Sequence, residues 1–325
     1  MPGFTTHYIF GMKAYNDMPF TPLKHTIAKY RWLYQLGLQG PDMFFYNIPI
    51  LRHRDYRNVG SYMHEHKVNA FFECCLRRIG TIRSRQQQEE AISYLAGFIN
   101  HYIADSICHP YVYGRIGYPV DAPTSMHHGM HAHLENELDA ILLWKFKHKK
   151  PSEFNQTATI CLNGQEIQFI SHFLASCINE TYYPITYRNN FQVTPAMVHR
   201  SIWALRFGCR TLSDKNGKKK FGIAQVESIF VNHPVASAKM VTDSVTDYRS
   251  SCNLNHEAWG NPWDPTRVST ASFVDLFHET LDKCSRVYAL LNSAVTDNMP
   301  LDKQDLSPLL AELGNESYHS GLPVD

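Results

Sequence analysis

Apolar and polar positions along this chain recur mostly with helical rather than strand periodicity, and the clearest instance lies between residues 95 and 110. Leu95, Ile99, Ile103 and Ile107 recur at steps of four, and His101, Asp105 and His109 run beside them at the same step. Positions four apart on an α-helix advance about 40° and climb about 6 Å, so the two sets form adjacent slanted rows. Gly97, one step before His101, leaves the polar row uncrowded. The row of two imidazoles and a carboxylate is therefore expected against a packed interior. The helix is predicted to begin in the Gln86–Glu90 stretch. It should end near His109, because Pro110 disfavours helical backbone at the residue before it.

The same periodicity predicts helices along most of the chain. Thr21-Pro22 reads as an N-cap with proline at the first helical position. That helix runs to about Leu38, with Ile27, Tyr30, Tyr34 and Leu38 on one face, and Gly40-Pro41 stops it. Asp42 follows at the head of the apolar run Met43-Phe44-Phe45-Tyr46, where a carboxylate either caps a turn or faces a site. A helix over about 61–79 places His64, Val68, Phe71, Phe72, Cys75 and Ile79 on its apolar side, and His66 with Glu73 and Arg77 on the wet side. Thr124 or Ser125 caps a helix to about Lys147. It carries a second polar row at steps of four, His127, His131, Glu135 and Asp139, with His133 and Glu137 as a rival pair on a neighbouring face. Further helices are expected at about 168–182, 195–212, 221–248, 270–295 and 305–313. Asn163-Gly164 between β-prone runs predicts a small hairpin within 158–169. Asn253–Pro265, with His256, Trp259 and Trp263, reads as a loop. The expected fold is all-α: one helical domain over 1–298, then a short helix and polar tail over 299–325.

Composition narrows the function classes. The 325 residues are 44% hydrophobic, ample for a large core, and the net charge of +1 offers no field for nucleic acid or an anionic membrane. No stable nucleic-acid partner is expected. Eight cysteines without a Cys-x-x-Cys pair suggest reduced thiols, and no signal peptide or 18-residue apolar run is visible, so a cytoplasmic location is expected.

The chemistry sits in the polar rows. Imidazoles and carboxylates on core-facing positions need partners, which either hydrogen bonding or a divalent metal supplies. His131 and Glu135 form a His-x3-Glu clip, and two such rows in helices separated by a short loop favour metal. His7, Asp42 and His64 add donors elsewhere, more than one zinc requires.

Thr6-His7, Gly40-Pro41-Asp42, Met63-His64, His101-x3-Asp105, His109-Pro110 and His131-x3-Glu135, in that order, resemble the zinc-dependent phospholipases C, which are related to zinc single-strand nucleases. The resemblance covers about the first 145 residues. The spacing from Asp105 to His109 is shorter than in secreted members. It implies an all-α fold holding two or three Zn2+ ions. Asp42, His64, His101 and Asp105 would hold the first, and His109, His131 and Glu135 the second. His7 and a bridging Asp105 would hold the third, which a mature N-terminal amine completes in the family; here the chain starts Met1-Pro2. The implied activity is hydrolysis of a phosphodiester or phospholipid head-group bond by metal-activated water, with Asp42 as the catalytic carboxylate and a small phosphoester or phospholipid as substrate. Phe44, Phe45, Tyr46 or Trp259 would hold an apolar substrate. The alternatives are a zinc nuclease or nucleotide phosphatase, and a non-catalytic metal-binding helical protein.

Overall fold

The computed structural model describes residues 3–46, 59–188, 192–212, 214, 218–230, 237, 240–243, 245 and 247–325. It is built almost wholly of helices, with one two-stranded antiparallel sheet among the described residues. The organising element is the helix Arg85–Arg115 (α6), which follows α1 (Phe4–Asp17), α2 (Pro22–Lys29), α3 (Arg31–Gly37), α4 (Val59–Glu65) and α5 (Val68–Thr81). Ser84 caps it, its hydroxyl oxygen accepting from Gln87 N at 3.4 Å. From Tyr94 to Ala104 every residue of α6 is buried, so helices pack around its whole circumference.

Pro110 does not end α6, which continues to Arg115. A mid-helix proline costs about 3 kcal/mol. Here the next turn buries Tyr111 and Val112 in a core cluster with Leu138, Trp259 and Phe273, and that burial outweighs the lost hydrogen bond.

Two other helices predicted as single pieces are broken. The segment expected over 22–38 kinks at Tyr30, whose carbonyl accepts from the buried Ser93 hydroxyl at 3.0 Å. The kink lets α3 cross α6 backbone to backbone. A Cβ on Gly97 would strike Tyr34 O, and one on Gly37 would strike Tyr94 O. The glycine at position 97 thus serves this crossing, more than it clears space for the polar row. The segment expected over 61–79 breaks at Lys67, which takes the left-handed conformation at φ 48°.

The predicted hairpin at 158–169 is absent. A 3₁₀ turn over Gln156–Thr159 precedes the helix Gly164–Arg188. Asn163 and Glu166 explain the difference. Asn163 Oδ1 accepts from Glu166 N at 2.9 Å and Glu166 Oε2 accepts from Asn163 N at 2.8 Å, so the Asn-Gly pair opens a capped helix. The strands lie further on: Trp259–Asn261, within the predicted loop, pairs with Asp264–Ser269, which runs past the loop's expected end at Pro265, in the register Trp259 to Ser269. The helix expected over 221–248 is Lys218–Phe230, and part of that range lies outside the described residues. Helices Ser125–Lys147 (α7), Pro195–Leu212 and Phe273–Thr296 fall where the pattern places them. Leu301, Leu306, Leu309, Leu313 and Tyr318 from the last 25 residues join the larger hydrophobic core. Among the described residues no helix is long and apolar enough to cross a membrane.

Candidate metal centre

The eight donors named from the sequence lie together, in two adjoining groups around Asp105. On α6 the i, i+4 spacing aligns His101, Asp105 and His109, all fully buried. Asp105 Oδ1 lies 3.1 Å from His7 Nε2 and 3.7 Å from His109 Nδ1. Its Oδ2 lies 3.1 Å from His101 Nε2 and 3.8 Å from His64 Nε2. Asp42 faces the same rings, with Oδ1 3.3 Å from His64 Nε2 and Oδ2 3.8 Å from His101 Nε2. Donor atoms of His7, Asp42, His101 and Asp105 all fall within 4.8 Å of one another, and so do those of His109, His131 and Glu135. In the second group Glu135 Oε1 is 2.6 Å from His131 Nε2 and 3.6 Å from His109 Nε2.

Local structure explains each placement. Asp42 sits in a 3₁₀ turn over Gly40–Tyr46. Gly40 enters it at φ +46°, and a Cβ there would run into the His101 ring. The turn can close on His101 only because position 40 is glycine. His7 lies on α1, whose start is held by Asp139, the last member of the polar row on α7. Asp139 Oδ2 accepts from Thr5 N at 3.1 Å and Oδ1 from Thr6 N at 2.7 Å. One helix therefore carries His131 and Glu135 and also sets the position of His7. His127, the first of that row, turns back to its own N-cap, with Nδ1 2.8 Å from Thr124 Oγ1. His133 faces Glu137 at 3.6 Å on a half-exposed face, and His256 is exposed with Nδ1 3.0 Å from Thr270 O.

Hydrogen bonding sets the tautomers. His64 Nδ1–H donates to Gly60 O at 2.7 Å, His101 Nδ1–H to Leu38 O at 3.1 Å, and His109 Nδ1–H to Tyr318 O at 2.7 Å. A neutral ring donating from Nδ1 turns a lone pair outward at Nε2. Those three Nε2 atoms, Asp42 Oδ1 and both Asp105 oxygens make no hydrogen bond. Buried acceptors facing one another are costly without a cation or proton between them. Among the described residues no lysine or arginine pairs with Asp42 or Asp105. A divalent cation fits this donor set: nitrogen and oxygen ligands, with imidazoles anchored through the far nitrogen to backbone carbonyls, are what zinc takes.

The electrostatics agree. Burial, then the neighbouring His101, lowers His7 to about 4. Burial pushes His109 and His131 well down, and raises Glu135 well above the usual carboxylate range. Burial opposes charge on His101 too, but Asp105 and Asp42 outweigh it and raise its pKa. For Asp105, burial is overcome by His109, His101 and His7, which hold it well below its ordinary value. Most of these imidazoles are thus neutral near pH 7 and ready to ligate.

The first group is buried, whereas His131 and Glu135 lie nearer solvent, on a helix that exposes Met126 and Met130. The rings of Tyr113 and His131 are 4.5 Å apart, and Tyr113 in turn meets Tyr118 and Trp263. Of the aromatics expected near the site, Phe45 is 5.4 Å from the His64 ring, while Trp259 packs on Tyr111 in the second core cluster. Two residues that no sequence pattern singled out also lie against the centre: Tyr318 and His319. The Tyr318 ring is 4.8 Å from His64, and His319 stacks on His64 at 4.8 Å and 13°. They come from a polar tail without periodicity, so only their being a tyrosine and a histidine could have drawn notice.

An all-α frame enclosing a dense pocket of imidazole and carboxylate defines a class of helical metalloprotein. Within that class the chain belongs to the zinc-dependent phospholipase C family, whose sequence model matches residues 6–186. The family is one of phosphoric ester hydrolases. No curated protein matches the chain, and no solved structure matches it.

Proposed function

We propose that the protein is a zinc-dependent phosphoesterase of phospholipase C type, acting on a phosphodiester or phospholipid head-group bond. The observation that carries this is the pair of neighbouring donor groups, one around Asp105 and one around Glu135, with buried lone pairs turned on one another. In this reading Asp42, His64, His101 and Asp105 would hold one ion, His109, His131 and Glu135 a second, and His7 with Asp105 a third. Zinc held by these residues would supply Lewis-acid polarisation of a phosphoryl oxygen and a water acidified toward neutral pH. The chain's own part is to fix geometry and move a proton. Gly60, Leu38 and Tyr318 carbonyls keep the imidazoles in the ligating tautomer. Asp42, held between His64 and His101, orients the attacking water and accepts its proton at Oδ1. The eight cysteines, all unpaired, support a reducing compartment as the place of action.

Elemental analysis should find two or three zincs per chain. The zinc-loaded protein should hydrolyse a chromogenic phosphodiester or a phosphatidylcholine vesicle, and single-stranded oligonucleotide assayed alongside separates the nuclease alternative. Asp42→Asn should lower turnover by about 10²-fold or more, the scale of losing a positioned general base. A chain that holds no zinc, or full turnover in Asp42→Asn, would overturn the proposal.

A further inference from the structure

The last eleven residues fold into a compact strap against α6. Glu316 pairs with Pro323 across an antiparallel bridge, Ser317 N donates to Leu322 O at 2.8 Å, and Val324 N donates to Asn315 O at 2.9 Å. Gly321, at φ +61°, turns the tip where Pro110 interrupts α6. A Cβ there would lie 2.6 Å from Ser106 O, the carbonyl that Pro110 has no N–H to engage. The strap is tied down on several sides: Asn69 N donates to Asn315 Oδ1 at 2.9 Å, Asn261 Nδ2 to Ser320 O at 2.7 Å, and Tyr318 N to His64 O at 2.9 Å. Tyr318 thus bridges two candidate ligands through its backbone, accepting from His109 and donating to the residue that carries the His64 ring.

This anchoring places His319 between the two donor groups. Its ring is 4.8 Å from that of His64 and 5.7 Å from that of His109. The candidate ligands keep similar spacings among themselves, 5.5 Å for His109 and His131 and 6.3 Å for His64 and His101. Yet His319 belongs to neither group of converging donors. Its Nδ1 lies 3.2 Å from the Tyr113 hydroxyl, so Nε2 is the polar atom left for another partner. It also differs from His7, His64, His101 and His109 in keeping contact with solvent.

We propose that His319 binds the phosphoryl group of the substrate, with Tyr113 as its positioning residue. With Nδ1 accepting from the Tyr113 hydroxyl, the neutral ring carries its proton on Nε2 and donates it to a phosphoryl oxygen lying across the two metal groups. Donors fixed where negative charge gathers in the transition state are the largest single contribution in many hydrolases. The assignment rests on the phosphoesterase reading, and its residue lies outside the matched 6–186.

Inorganic phosphate is the probe, titrated calorimetrically into the zinc-loaded full chain. His319→Phe keeps the ring that stacks on His64 and removes the donor, whereas His319→Gln keeps an N–H donor and removes the ring. Phosphate affinity should fall about tenfold or more in His319→Phe, the scale of one hydrogen bond to a charged group, and should largely survive in His319→Gln. Zinc content should match the wild type in both. Undiminished phosphate binding by His319→Phe, or loss of a zinc in either variant, would overturn the assignment. If phenylalanine is not accommodated, His319→Ala is measured in the same way with the same expected loss. A wild-type chain that fails to hold zinc would instead refute the phosphoesterase reading itself.

Discussion

Asp139→Asn tests how the frame sets the position of His7. Asp139 is a buried carboxylate raised from 3.8 to about 6, burial being the main cause and its hydrogen bonds to Thr6 and Thr5 opposing it. Because the folded-state pKa is above the unfolded one, the folded protein binds more protons between those values. Stability therefore falls as pH rises through the window from 3.8 to about 6 and levels off above it. The shift of roughly two units amounts to about 3 kcal/mol, of which about 2 kcal/mol should appear between pH 4.5 and 7.5. Asparagine is nearly isosteric and has no charge to lose. It keeps one acceptor for the two N–H groups and turns an NH2 toward the other, which should cost about 1–3 kcal/mol at every pH. Urea unfolding of metal-free protein across that pH range gives the comparison, since titrations common to both chains cancel in the difference. The wild type should lose about 2 kcal/mol more than Asp139→Asn as pH rises to 7.5. Parallel stability curves would refute the assignment of Asp139 as a cap whose charge is disfavoured by burial.

Two further outcomes follow from the same geometry. Chelating the metal should lower the thermal midpoint markedly, because an ion at 100 times its dissociation constant adds about 2.7 kcal/mol per site; a midpoint unmoved by chelator and by added zinc would argue against the centre. Gly97→Ala puts a methyl group into the backbone of Tyr34 at the α3–α6 crossing, so it should destabilise the fold by about 1–3 kcal/mol. It should also weaken zinc retention, since α3 leads directly into the turn that carries Asp42. A variant with native zinc content and native stability would show that the crossing does not set that turn.

The two polar rows were legible because they are local. His101, Asp105 and His109, and His131 with Glu135, owe their alignment to helical pitch, which any chain obeys, and the neighbouring apolar rows state that they face inward. The cap at Thr21 is local too, a side-chain oxygen reaching a backbone N–H three residues on. What lay beyond reach depended on partners far along the chain. Pro110 stays helical because Tyr111 and Val112 find Trp259 and Phe273. Asp139 leaves its row to cap a helix more than 130 residues earlier, and Gly97 meets the backbone of Tyr34. Tyr318 and His319 reach the centre from a tail with no periodic signal, drawn in by a bare glycine fitting the gap that a proline opened. Helical pitch and capping depend on near neighbours, so the residue order by itself specified which donors share a face. Which faces meet is decided by burial and hydrogen bonds summed over the whole fold, and that sum exists only once the chain has closed on itself.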